Sequence, residues 1–217
     1  MPTPGILMRM LHSKEPLNES SLDAPKVSSG IEAAYKLTAL EKENPWLNTM
    51  YFLDDIAPLA NSSASYDEDV KANASDSIPI SWVLCAFING RDQSTPSQQT
   101  YTTPHVPAAT PNPGSVVIVN GSTPRADKED DYHAWYDQEH GDKLKLVPGW
   151  NVARRYSLAK AYGNIETANF YGVNFYDEKN GLGGPEWKAG VTEWTLRIRD
   201  NAAKPNIRRQ WKFVAAE

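Results

Sequence analysis

The sequence predicts an α+β fold in which one four-stranded unit occurs twice. Three observations predict it. Apolar runs of strand length recur in the same order on both sides of a Pro-rich stretch, residues 93–113. Each set closes on a run that opens with Trp, at 82–87 and 211–214. Between the third and fourth runs of each set lies a segment of helical length, 55–73 and 185–199, the second with Trp187, Val191, Trp194 and Ile198 at helical spacing.

The elements follow in order. In the first half, strands are expected near 5–11, 30–38, 47–54 and 80–88. Between the first two, Pro16 and Pro25 interrupt the chain and leave no room for a long helix. The stretch 93–113 carries Pro96, Pro104, Pro107, Pro111 and Pro113 with almost no apolar periodicity, so an extended, mobile linker is expected. In the second half, strands are expected near 115–120, 150–158, 169–177 and 207–214. A helix should run from about Asp127 to His140, with Asp127, Glu129, Asp130 and Asp131 near its positive end and Gly141 as its C-terminal cap. The order is then β-α-β-β-α-β, a ferredoxin-like split βαβ arrangement. The chain divides into a degenerate repeat at 1–92, a linker at 93–113 and a full repeat at 114–217. Each sheet would keep one apolar face, and the two faces can cover each other, sheet packed to sheet as a pseudo-dimeric α+β barrel.

Bulk composition narrows the function classes. The net charge of −5 over 217 residues disfavours a nucleic-acid partner, and the late basic residues suit a solvated face. The one cysteine, Cys85, lies in an apolar run and reads as an inert buried thiol. No window approaches the length of a membrane span, and the opening residues lack a signal-peptide core, so a cytoplasmic location is expected. There is no GxGxxG, P-loop, GxSxG or CxxC to suggest nucleotide, serine-hydrolase or thiol-redox chemistry.

The informative stretch is 130–140, Asp-Asp-Tyr-His-Ala-Trp-Tyr-Asp-Gln-Glu-His. Tyr132, Tyr136 and His140 recur every four residues and share a helical face, flanked by Trp135 and Glu139. A polar-aromatic face turned inward suits a small-molecule pocket; plain core packing suits the same Trp135 and Tyr136. His140 is the candidate general acid or base, with the helix carbonyls favouring its imidazolium and Glu139 or Asp137 orienting it. His133 stands four residues before Asp137, as an acid/base couple or a solvent-side pair. Arg155 and Tyr156 alternate on a strand, so one of them faces the helix. Tyr156 is a candidate proton donor to a developing enolate, and Arg155 a candidate substrate contact. His133, Asp137 and His140 have a spacing that metal ligands can use, but three in tandem on one helix are unusual, and no metal is expected.

The run over 132–140, followed by Pro148-Gly149 and Arg155-Tyr156, resembles the EthD-type branch of the dimeric α+β barrel superfamily, above all its fungal two-repeat members. The resemblance rests on Trp135, Tyr136, Asp137, Glu139 and His140 and on those four later residues. It implies a small cofactor-independent enzyme of the polyketide cyclase, decarboxylase or isomerase kind, a lyase or isomerase of secondary metabolism. The partner would be an aromatic or polyketide-like small molecule, with a homodimer left open. Superfamily members also include dehydratases and cofactor-free monooxygenases. The alternative is a non-catalytic small-molecule-binding or stress-response protein, and a third class is a structural oligomer. The first half has no Trp-Tyr-acid-x-Glu-His, so a matching pocket is not expected there.

Overall fold

The computed structural model describes residues 1–13, 27, 30–41, 45–73, 78–102 and 104–217. Eight antiparallel strands close into a barrel. They are β1 (Gly5–Leu11), β2 (Ile31–Ala39), β3 (Leu47–Leu53), β4 (Ile80–Asp92), β5 (Val116–Ser122), β6 (Trp150–Tyr162), β7 (Phe170–Tyr176) and β8 (Ile207–Ala216). Each expected strand is present, β4 and β6 running further than their apolar cores suggest. Around the ring the order is β4-β1-β3-β2 and then β8-β5-β7-β6.

The two groups of four do more than face each other: they share edges. β2 pairs with β8, from Tyr35 opposite Ala216 to Ala39 opposite Trp211. β4 pairs with β6 along nearly its whole length, from Trp82 opposite Tyr162 to Asp92 opposite Val152. Among the described residues closure leaves no strand with an unpaired edge, which removes the usual template for aggregation.

Alternation along the strands sorts side chains between lumen and outer face. On β1, Ile6, Met8 and Met10 enter the lumen, while Leu7 and Leu11 pack outward. Tyr35 meets Phe52, Phe175 and Phe213 edge-on inside the barrel, with ring centroids 5.0–6.1 Å apart. Cys85 is fully buried there, and burial pushes its thiol pKa up, in keeping with an inert group.

Helices cover the outer face. Over the first half lie α1 (Ala57–Asn61) and α2 (Ala64–Ala72), packed through Leu59 onto Leu53, Trp82 and Leu84. A buried ion pair fixes α2: Asp69 accepts from Arg9 Nε and Nη2, each at 2.8 Å, and from Trp82 Nε1 at 2.8 Å. Over the second half lie α3 (Glu129–Trp135), a π-helical turn at 136–140, α4 (Gly141–Lys145), α5 (Pro185–Ala189) and α6 (Glu193–Asp200).

Three expectations change. Each inter-strand helix is two short helices; in the second half the break falls at Gly190–Thr192, where the Thr192 side chain accepts from Thr195 N and caps α6. Gly141 does not end its helix but continues it with right-handed dihedrals, φ −61° and ψ −38°. And 93–113 is anchored rather than bare. Tyr101 exchanges two 2.8 Å backbone bonds with Gly90, and the His105 carbonyl accepts from Arg154 Nε at 2.9 Å. His105 is buried against Phe52 and Phe87. Polar and aromatic anchors hold the segment, and apolar periodicity does not register them. The stretch between β1 and β2 where no long helix is expected lies mostly outside the described residues. Among the described residues no helix is long and apolar enough to cross a membrane.

Candidate functional site

The site is built where the motif helix lies over β5 and β7. Glu129, Asp130 and Asp131 occupy the first turn of α3, where carboxylates complement the helix dipole. At Tyr136 the helix widens into a π-helical turn through His140. Such turns lengthen the repeat to about five residues and often mark functional positions. Here the turn brings Trp135 and His140, five apart, into a face-to-face stack with centroids 4.1 Å apart and planes 20° apart. Tyr136 meets the same imidazole edge-on at 5.4 Å.

Arg91, from β4, supports this turn from the first half of the chain. It is buried, donates through Nη2 to the Asp137 carbonyl at 2.7 Å and through Nη1 to Asp142 Oδ1 at 2.8 Å. A Cβ at position 141 would overlap its guanidinium. Gly141 is thus required by a close approach and not by a cap. On the other side, Trp135 Nε1 donates to Thr195 Oγ1 at 3.2 Å, and the Thr192 hydroxyl donates to Glu139 Oε1. The cap of α6 therefore also holds the motif helix.

Between these helices and the outer face of the sheet is a cavity of about 350 Å³, within the range of small-molecule sites. Its walls include Tyr132, Trp135, Tyr136 and His140 from the motif, and Tyr176 and Trp187 opposite. Two buried polar atoms at this wall lack a well-formed hydrogen bond: Tyr136 Oη, with the Asn174 amide close by, and His140 Nδ1. Gly172 on β7 leaves the room that the Tyr136 ring occupies; a Cβ there would lie 3.2 Å from its hydroxyl.

Electrostatics make His140 a neutral imidazole. Burial is the largest cause, and Arg199, Arg91 and Arg155 add positive charge nearby, so its pKa falls to about 3. This reverses the expectation that the helix carbonyls favour the imidazolium: the helix runs on past His140, so no free carbonyl end is presented there. Burial also pushes the Tyr136 phenol up to about 12, keeping it a donor.

The remaining candidates separate. Arg155 faces the helix layer: Nη1 pairs with Asp137 Oδ1 at 2.7 Å, Nη2 meets His133 Nδ1, and the guanidinium lies 4.5 Å from the Tyr136 ring centroid. It props the aromatic wall from behind. His133 packs edge-on against Phe170 and away from the cavity wall. Asp137 and Glu139 do not orient His140, because Arg155 and Thr192 engage them. Tyr156 lies on the opposite side of the sheet, wholly buried in the lumen beside Phe87. Its expected role at the pocket is corrected by the strand alternation that points Arg155 outward. Among the described residues no three metal-ligating groups converge. Sequence reasoning missed Lys143, Arg199 and Arg208, which line the cavity from α4, α6 and β8. No local signal marks them; only the packing of α6 and β8 against the motif helix brings them in.

Acid should weaken the fold through the same desolvation. His12, His105, His133 and His140 all sit below their ordinary pKa, burial being the largest cause for each. A histidine neutral when folded but free to protonate when unfolded contributes fully above pH 6.5. That contribution falls with pH until the folded pKa, about 3 for His140. The slope is at most ~1.4 kcal/mol per pH unit for each histidine. The urea midpoint should drop between pH 6.5 and 4, and drop less in His140→Gln. Equal drops in both proteins would mean that His140 titrates freely in the folded state.

No family model and no curated protein sequence matches the chain significantly. Solved structures do. An anthrone oxidase-like protein is similar over 99% of this chain and 93% of its own, with TM-score 0.66 at 13% identity. Two bacterial proteins, each called a "putative monooxygenase", are also similar. The one from Fusobacterium nucleatum has TM-score 0.58 at 9% identity, covering 100% of this chain and 94% of its own. The one from Lactobacillus acidophilus has TM-score 0.53 at 10% identity, covering 99% and 95%. At such identities the likeness shows the fold, and the chain is an eight-stranded antiparallel α+β barrel of the kind these proteins share.

Proposed function

We propose that the protein is a small-molecule-processing enzyme that holds an aromatic or polyketide-like substrate in the cavity and removes a proton from it with neutral His140. In this reading the barrel is two ferredoxin-like repeats of the EthD type, 1–92 and 114–217 joined by 93–113, working in the cytoplasm without a cofactor. The observation that carries it is the cavity whose wall holds the His140 imidazole stacked on Trp135 among further aromatic rings.

The low pKa of His140 does not disqualify it as a base. An imidazolium is unfavourable there while it stands alone. When the proton comes from the substrate, an anion appears beside it, and the new pair offsets the desolvation. Tyr136, kept protonated by burial, is the phenol of the cavity wall that would donate to the oxygen where that charge settles. It takes the role that sequence reading assigns to Tyr156. From such an anion ring closure and double-bond migration are short steps, and loss of CO2 from a β-keto carboxylate generates an anion of the same kind, which supports the cyclase, isomerase and decarboxylase chemistries. A second reading draws on the structural neighbours: the anion of an anthrone-like ring system is electron-rich enough to be oxidised by dioxygen.

A panel of hydroxylated anthrones and aromatic β-keto acids tests the proposal, with products read by mass spectrometry and oxygen by electrode. Turnover without oxygen uptake supports the lyase or isomerase reading, and turnover with uptake supports oxidation. Ligand-induced thermal stabilisation without turnover moves the protein to the binding class. No stabilisation and no turnover across the panel would sink the proposal.

A further inference from the structure

The cavity wall carries Lys143, Arg199 and Arg208 and no carboxylate. The imbalance does not reflect the chain, which has 27 acidic against 22 basic residues. Of the nearby acids, Asp137 pairs with Arg155 and Asp131 with Arg197, while Glu139 accepts only from the Thr192 hydroxyl and Glu41 acts on Arg208 from a distance without an ion pair. Among the described residues Lys143 and Arg199 form no ion pair. Arg208 donates to Asn120 Oδ1 at 3.3 Å and lies 5.7 Å over the Trp187 ring.

We infer that the ligand of this cavity is an aromatic anion, a ring system bearing a carboxylate or phenolate, whose acidic group lies toward Arg199, Lys143 and Arg208 while its rings lie among Trp135, Tyr136, Tyr176 and Trp187. The inference rests on the proposal that the cavity is the ligand site and narrows the substrate class within it. One further fact agrees: the positive charge is felt at the imidazole, since Arg199 is among the groups that disfavour His140 protonation. Arg199 and Arg208 are exposed at the cavity and cheap to leave solvated when it is empty. An anion would convert them into charge-assisted hydrogen bonds, which are roughly twice as strong as neutral ones. The same cations would stabilise an anion formed by deprotonation, so binding and chemistry draw on one field.

The test uses three probes of one shape: 2-naphthoate, 2-naphthamide and 2-naphthylmethylammonium. Binding is read by quenching of tryptophan fluorescence in the full-length protein and in Arg199→Gln/Lys143→Gln. Both positions are side chains at the cavity rim, and circular dichroism verifies folding. Naphthoate should bind at least about tenfold tighter than the amide, a gap of ~1.4 kcal/mol. That preference should shrink with added salt and in the double variant, and approach unity when Arg208→Gln is added. Equal binding of naphthoate and amide, or tightest binding of the ammonium, overturns the anion inference while leaving an aromatic ligand site in place. A preference that survives when Arg208→Gln is added to the double variant also overturns it, because the charge would then be read elsewhere. Failure of all three probes to bind removes the ligand-site reading itself.

Discussion

Replacing His140 by glutamine slows turnover of whichever panel compound reacts by on the order of 10²–10⁴, the usual span for a general acid or base. The fold survives. Glutamine keeps much of the volume against Trp135, whose ring lies 4.1 Å from the imidazole centroid, and it removes a group whose protonation the site resists. The loss should fall on kcat with KM little changed, since the step removed is proton transfer and the aromatic walls remain. A rise in KM with kcat intact would make His140 part of the wall and no base at all. Alanine is the less clean substitution, because it also opens the stack on Trp135.

Replacing Asp69 by alanine lowers stability by about 3–5 kcal/mol, the usual cost of removing one partner of a buried ion pair. Asp69 is 2% exposed and its partner Arg9 3%. The carboxylate holds Arg9 through two bonds, Trp82 Nε1 through a third and Asn73 Nδ2 through a fourth at 3.1 Å. Its loss leaves the Arg9 guanidinium without this carboxylate beneath α2. Urea denaturation at pH 7 measures the effect. Pairing the substitution with Arg9→Met should recover much of the loss, because the other buried charge of the pair is then gone as well. A single-variant loss under about 1 kcal/mol would mean that water reaches the pair and screens it.

The strands were legible because the lumen imposes alternation. Val117, Val119, Val173 and Phe175 must be apolar whatever the protein does, and glycines and prolines punctuate the turns. The motif helix was legible for the opposite reason: its buried face is aromatic where aliphatic packing is usual. What local sequence does not carry is the π-helical turn. It depends on Arg91, some 46 residues earlier, gripping the Asp137 carbonyl, and it sets Trp135 on His140 by a spacing of five that helical periodicity does not anticipate. The facing of Arg155 and Tyr156 was likewise hidden, since the irregular pairing between Trp150 and Val152 sets the phase of β6. Lys143, Arg199 and Arg208 looked like ordinary surface charge. Their grouping exists only in three dimensions.

The closed ring of strands has an evolutionary consequence. Along β5, Val117 and Val119 point into the lumen, while Ile118 and Asn120 look out on the cavity. One strand thus carries two messages interleaved residue by residue, one for folding and one for recognition. Drift at inward positions changes whether the chain folds; drift at outward positions and in the covering helices changes what it recognises. A lineage can therefore exchange ligands by rewriting every second residue of a few strands, with the lumen inherited intact.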